Sequence, residues 1–310
     1  MGQGVGFGKV ILFNEHFVVY GIPAVASAIG AKTTALVERK SGSGYELKDE
    51  RAETPGYKAE KLEQQKESLE IMLKFMKIDM QHNHYVITLG GDLIAASGVG
   101  ASAASCAAIA RAFSQELGLD FSDEKVNEVA YEGEKGYHGT PSGIDNTAAT
   151  YGGLIWYRRE GSAQLMERMR LRKPIEIVMG NTGKVADTRV VVAGVKERKE
   201  KEPEKYGRIF QEADQLVRNA RKQLEAFDLE KVGACMNENH RLLQEIGVSS
   251  PELDTLVKLA RDAGAVGAKL TGTGRGGYMV ALTPGLKLQE QVANAIEQNG
   301  SQALRTQIGV

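Results

Sequence analysis

The run Gly98-Val99-Gly100-Ala101-Ser102-Ala103-Ala104 follows a β-type stretch and opens an apolar, Ala-rich helix. The first amides of a helix lack internal acceptors, and the macrodipole adds partial positive charge there. A glycine-rich entry lets a di- or triphosphate sit against those amides. Ser102 stands where its hydroxyl could ligate a phosphate-bound Mg²⁺. The loop lacks the GxxxxGK[ST] pattern of a Walker loop. Alone, it also suits a glycine turn ahead of a buried helix.

Three further segments carry reactive side chains. In Glu132-Gly-Glu134-Lys-Gly-Tyr-His138-Gly-Thr-Pro-Ser142-Gly-Ile-Asp145-Asn146, Glu134 ends one helix and Asp145 opens the next helical or turn segment. Two carboxylates from consecutive elements can converge, one holding Mg²⁺ and the other orienting a hydroxyl or taking its proton. The bland alternative is a pair of helix caps. His138 reads as structural, because no second histidine lies at ligand spacing. In Gly8-Lys9-Val10-Ile11-Leu12-Phe13-Asn14-Glu15-His16, a lysine interrupts an apolar strand. That is costly unless the ammonium is paired or reaches solvent. Paired, Lys9 could stabilise phosphoryl charge, and Glu15 and His16 could bind a polar substrate. Lys269-Leu270-Thr271-Gly272-Thr273-Gly274-Arg275-Gly276-Gly277 is a second glycine loop, which an ordinary turn would also explain.

These segments need a scaffold, and 310 residues suffice for two medium domains or one large one. Strand-like stretches cover 5–13, 33–39, 85–89, 154–158, 175–179, 266–270, 277–282 and 302–307. Helical spacing covers 60–77, 102–117, 122–135, 186–200, 204–227, 229–246 and 288–298, with another helix capped by Ser250 and started by Pro251. The charged stretch 159–173 reads as a surface hairpin leading to a domain boundary. Such a mixture is an α+β arrangement.

Composition closes off other functions. With 39 basic and 40 acidic side chains the net charge is −1, so no global basic excess exists for nucleic acid or an anionic membrane. Cys106 and Cys235 lack CxxC partners, which argues against a disulfide scaffold or a cysteine zinc site. No apolar run approaches the roughly 20 residues of a membrane span, and no signal peptide is visible. The expectation is a soluble, cytoplasmic protein. Glycine, at 36 residues, concentrates at 4–8, 90–100 and 264–277, as expected of turns or of backbone approaching a ligand.

In this order, the four segments resemble those of the GHMP kinases over essentially the whole chain. Residues 8–16 are similar to that family's Pro-Gly-Lys…Gly-Glu-His segment, and 98–104 to its Gly-Leu-Gly-Ser-Ser-Ala-Ala phosphate loop. Residues 269–277 resemble its C-terminal glycine loop. The resemblance implies Mg²⁺- and ATP-dependent phosphorylation of a small-molecule alcohol. It also implies an N-terminal α/β domain over 1–170 with a left-handed βαβ unit, and a ferredoxin-like domain over 171–310. Residues 15–21 and 132–146 look most like the members that phosphorylate mevalonate on its C5 hydroxyl.

On that basis Asp145 matches the catalytic aspartate and Lys9 the lysine near the γ-phosphate. Gly98, Val99, Gly100, Ala101, Ser102 and Ala103 match the ATP loop, with Ser102 and Glu134 as Mg²⁺ ligands. Glu15, His16 and Thr188 match positions lining the mevalonate pocket. Family assemblies make a homodimer the oligomer to test for. The sequence departs from the pattern at Phe7 for proline, Asn14 for glycine, Ala101 for the first loop serine, and Arg275 inside the last loop. A kinase acting on a phosphorylated alcohol would need extra basic residues beside Glu15 and His16, and no such cluster is visible there. A silent nucleotide-binding protein would be marked by loss of Asp145, Lys9 or Ser102, and all three are present.

Overall fold

A computed structural model describes the chain except residues 97, 161, 162, 185 and 187; for 163, 164, 188 and 189 it describes the backbone alone. Two compact units emerge: Met1–Lys9 with Ala28–Gly152, and Val10–Ser27 with Gly153–Val310. The backbone therefore crosses between them after Lys9, after Ser27 and after Gly152.

The first unit takes parts of two long strands, β1 (Gly2–Phe13) and β2 (Ala24–Lys40). It adds β3 (Gly44–Asp49), α1 (Tyr57–Phe75), β4 (His84–Gly91), α2 (Ala101–Leu117), α3 (Asp123–His138) and α4 (Ile144–Tyr151). β4 lies between β2, its antiparallel neighbour, and β3, its parallel one. A parallel pair needs a crossover, and α1 supplies it. The core packs Leu69, Met72 and Leu73 of α1 and Val129 of α3 against Tyr85 and Ile87 of β4 and Phe113 of α2.

The alternating glycines of β1 are helix-packing positions. A Cβ on Gly2, Gly4 or Gly6 would fall 2.1, 2.0 or 2.1 Å from the carbonyl oxygens of Ala112, Ala108 and Ala104 in turn. Two strand residues advance about 6.6 Å and four helix residues about 6 Å. One face of β1 therefore keeps step with one stripe of α2, at a separation only glycine permits. The expectation of turns or ligand contacts at 4–8 is corrected on this point.

The second unit has the rest of β1, a short 3-10 turn at Phe17–Tyr20 and the start of β2. It adds β5 (Leu154–Glu160), β6 (Ala163–Met169), β7 (Ile175–Asn181), α5 (Thr188–Lys201), α6 (Pro203–Ala226) and α7 (Leu229–Glu245). Then follow α8 (Pro251–Asp262), β8 (Gly267–Thr271), β9 (Tyr278–Leu282), α9 (Leu286–Gln298) and β10 (Gln302–Ile308). β5 and β6 form the charged hairpin, and β5 also pairs with Ala24–Ser27 of β2. The strand order β10-β7-β9-β8, antiparallel at each step, is ferredoxin-like. Its core joins Val178, Ala268, Leu270 and Met279 of the sheet to Leu242, Leu256 and Ile296 of α7, α8 and α9. Among the described residues no helix is long and apolar enough to cross a membrane.

Candidate active site

Within the first unit four elements deliver Lys9, Ser102, Glu134 and Asp145 to one place. Lys9 of β1 runs beneath the glycine loop, and its amide donates to the Val99 carbonyl at 2.8 Å. Gly100 has φ +72°, and a Cβ there would lie 2.6 Å from Lys9 Cγ. Backbone conformation and space thus both demand glycine. Ala101, Ser102 and Ala103 then form the first turn of α2.

Glycines also set the depth of Glu134. A Cβ on Gly133 would strike Met72 Sδ and Cys106 Sγ, and one on Gly136 would lie 2.4 Å from the Ser68 amide. α3 therefore presses against α1 and α2, which leaves the Glu134 side chain 1% exposed. Ser142 Oγ accepts from the Ile144 amide at 3.3 Å as α4 begins. Asn146 donates to Asn127 of α3 at 2.8 Å. Those bonds fix α4 and place Asp145 Oδ1 3.2 Å from Lys9 Nζ, with Lys9 nearly buried.

The Glu134 carboxyl is pushed up to about 8, by burial first and then by repulsion from Asp145; a Ser102 hydrogen bond and the Lys9 charge oppose this. Its Oε1 is buried without a partner. A buried orphan acceptor beside a hydroxyl at a helix N-terminus fits a cation arriving with phosphates. His138, one turn beyond Glu134, belongs to this cluster, with Nε2 3.7 Å from Glu134 Oε2. The sequence signal for it is its i,i+4 spacing from Glu134 on a helix.

The second unit holds Glu15 and His16. Asn14 and His16 have φ +70° and +62°. Asn14 accepts the strained conformation through a ring of bonds: its Nδ2 donates to the Pro23 and Ala213 carbonyls at 2.9 and 3.0 Å, and Asn239 Nδ2 donates to its Oδ1 at 2.9 Å. Asparagine tolerates left-handed backbone better than other non-glycine residues, so it can stand where the family pattern has glycine. Lys269 Nζ donates to Glu15 Oε1 and to the Leu270 carbonyl at 2.5 and 2.6 Å. Burial drives Glu15 up and Lys269 down, and their mutual attraction opposes both shifts. His16 Nε2 donates to the Thr273 carbonyl at 2.7 Å. With that tautomer Nδ1 is an acceptor. Both Nδ1 and Glu15 Oε2 are buried without partners. By sequence Lys269 is only the start of a glycine loop, because its partner lies 254 residues away.

Arg275 is occupied by its own loop. Its amide donates to the Val248 carbonyl at 2.8 Å and its Nε to the Gly247 carbonyl at 3.0 Å. Thr188 opens α5, and its side chain lies outside the described residues. Among the described residues no group of three or more His, Cys, Asp or Glu could hold a metal. The Ser102–Glu134 pair supplies a single carboxylate.

Residues 66–153 match the family described as GHMP kinases N terminal domain, and 220–302 match GHMP kinases C terminal. A mevalonate kinase of Pyrococcus horikoshii is 35% identical over 326 residues, spanning 97% of this chain and 93% of the relative. One from Aeropyrum pernix is 35% identical over 310 residues, spanning 97% and 94%. The crystal structure of L. major mevalonate kinase in complex with R-mevalonate matches with TM-score 0.97 at 38% identity, covering 99% of this chain and 96% of that one. The Methanococcus jannaschii mevalonate kinase, at TM-score 0.81 and 20% identity with 99% and 98% covered, shares the fold.

Proposed function

Because the chain belongs to the GHMP kinases, we propose that it transfers the γ-phosphoryl group of ATP to the C5 hydroxyl of (R)-mevalonate. Phosphoryl transfer asks a protein mainly for positioning and charge neutralisation. The observation that carries the reading is the Lys9–Asp145 pair at 3.2 Å, beside Ser102 and the buried Glu134.

Asp145 accepts a hydrogen bond from the attacking hydroxyl and takes its proton as the oxygen–phosphorus bond forms. Lys9 neutralises charge on the transferring group. The amides of 98–103 hold the nucleotide phosphates at the start of α2. Ser102 and Glu134 would hold Mg²⁺, which supplies charge neutralisation at the phosphate oxygens when bound. Glu15 Oε2 and His16 Nδ1, two acceptors without donors, suit the hydroxyl groups of a hydroxy acid. Thr188 completes the proposed substrate set.

The test is ADP release from Mg-ATP with mevalonate, phosphomevalonate, galactose and homoserine offered separately. Turnover confined to mevalonate supports the proposal. Turnover with another of the four and none with mevalonate refutes the substrate while keeping the kinase chemistry.

A further inference from the structure

Arg51, in the connection between β3 and α1, is only 5% exposed. Its guanidinium forks onto Asp49, with Nε to Oδ1 at 2.9 Å and Nη2 to Oδ2 at 2.6 Å. Its Nη1 donates to Thr33 Oγ1 at 3.2 Å and to the Ala101 carbonyl at 3.3 Å. One planar group thus joins β2, β3 and the first residue of α2. Asp49 is held in turn by Gln65 Nε2 at 3.0 Å, and its carbonyl by Lys58 Nζ at 2.8 Å.

Arg51 and Lys9 flank the same glycine. Lys9 fixes the residue before Gly100 by the bond to Val99, and Arg51 fixes the residue after it. Arg51 also lines an open recess with Ala101, Ser102, Lys58, Lys61 and Tyr137. The charged side chains lining that recess are Asp49, Arg51, Lys58 and Lys61, so cations outnumber acids where α2 begins. None of the four sequence motifs contains Arg51.

We propose that Arg51 is a positioning residue for nucleotide binding: its fork holds the start of α2 so that the amides and the Ser102 hydroxyl meet a polyphosphate preorganised. The assignment rests on the proposed kinase reading for its ligand class, a nucleoside di- or triphosphate. Lysine cannot reproduce the role, because a point charge cannot bond Asp49 through two nitrogens while also reaching Thr33 and Ala101.

The test uses Arg51→Met and Arg51→Lys in the full chain. Mg-ADP affinity is measured by calorimetry without any alcohol, together with thermal midpoints and the KM for ATP and for mevalonate. Loss of preorganisation predicts that both variants weaken Mg-ADP binding and raise KM for ATP about tenfold or more, with KM for mevalonate within about twofold. Wild-type affinity in folded Arg51→Lys overturns the proposal. So does activity that falls only with the folded fraction while both KM values stay put. If Arg51→Met does not fold, Arg51→Lys decides. Should wild type bind Mg-ADP and yet not phosphorylate mevalonate, the substrate reading fails and the nucleotide arm still tests Arg51.

Discussion

Lys9 Nζ and Asp145 Oδ1 stand 3.2 Å apart, although 135 residues lie between them in the chain and they arrive from a strand and from a helix start. The pair depends on Gly100, which leaves no Cβ against Lys9, and on Asn146, which ties α4 to α3. Asp145→Asn keeps the shape and can still accept through its carbonyl, but it loses the charge and the basic oxygen. We expect near-normal folding and ATP binding with kcat down by about 10³ or more. Near-normal turnover would remove Asp145 from the reaction.

Glu134 gives the cation dependence a pH signature. Its carboxyl is pushed up to about 8 by burial and by Asp145, so without a cation it is mostly protonated at pH 7. A hard cation needs the carboxylate, so apparent Mg²⁺ affinity should strengthen by up to about tenfold per pH unit below that value and level off above it. Mg²⁺ titrations between pH 6.5 and 9 should show this slope in wild type and not in Glu134→Gln. Ser102→Ala should weaken Mg²⁺ binding while leaving the slope. Parallel pH curves for wild type and Glu134→Gln would take Glu134 out of the metal site.

His240 supplies a signature in stability that also strengthens as pH rises. Its Nδ1 accepts the Leu270 amide at 3.2 Å and its Nε2 lies 3.2 Å from Asp254 Oδ1, which fixes the neutral tautomer. Burial, opposed by Asp254, pushes the imidazole down to about 4. The unfolded chain takes up the proton near its ordinary value of about 6.5. The stabilisation is therefore complete above that pH and is lost as pH falls toward 4, by up to about 3 kcal/mol. The stability gap between wild type and His240→Gln should shrink on going from pH 7.5 to 4.5. A gap independent of pH contradicts the assignment.

Asn14 and the β1 glycines test packing without chemistry. Asn14→Ala loses the side-chain bonds and puts alanine at φ +70°, and should cost about 3 kcal/mol. Asn14→Gly keeps the backbone easy and should cost less. Gly4→Ala puts a methyl 2.0 Å from the Ala108 carbonyl, and should cost about 3 kcal/mol or more by forcing strand and helix apart. Chemical denaturation measures all three. An unfolding free energy for Gly4→Ala within about 1 kcal/mol of wild type would contradict the interlocked contact.

Much of this was legible because local rules held. Ser122 caps α3 and Ser250 caps α8 with Pro251 behind it, as their types and positions foretold. β2 was seen only from Thr33 onward, where exposed and buried positions alternate; its first residues are buried on both faces, which erases the period of two. β3, Gly-Tyr-Glu-Leu-Lys-Asp, carries too little apolar surface to announce an edge strand. The motif residues could be named from type and order, yet the place of Arg51 and the pairing of Lys269 could not. Their roles come from partners distant in sequence, Ala101 and Glu15, that only the folded chain brings near.

C5 phosphorylation of mevalonate is tested by the product itself. Enzyme, Mg-ATP and (R)-mevalonate should be incubated and the product examined by ³¹P NMR with proton coupling. The expected product is a phosphate monoester whose phosphorus couples to the C5 methylene protons, formed with one ADP per ester and absent with Asp145→Asn. ADP released without any ester, or phosphate on another oxygen, would contradict it.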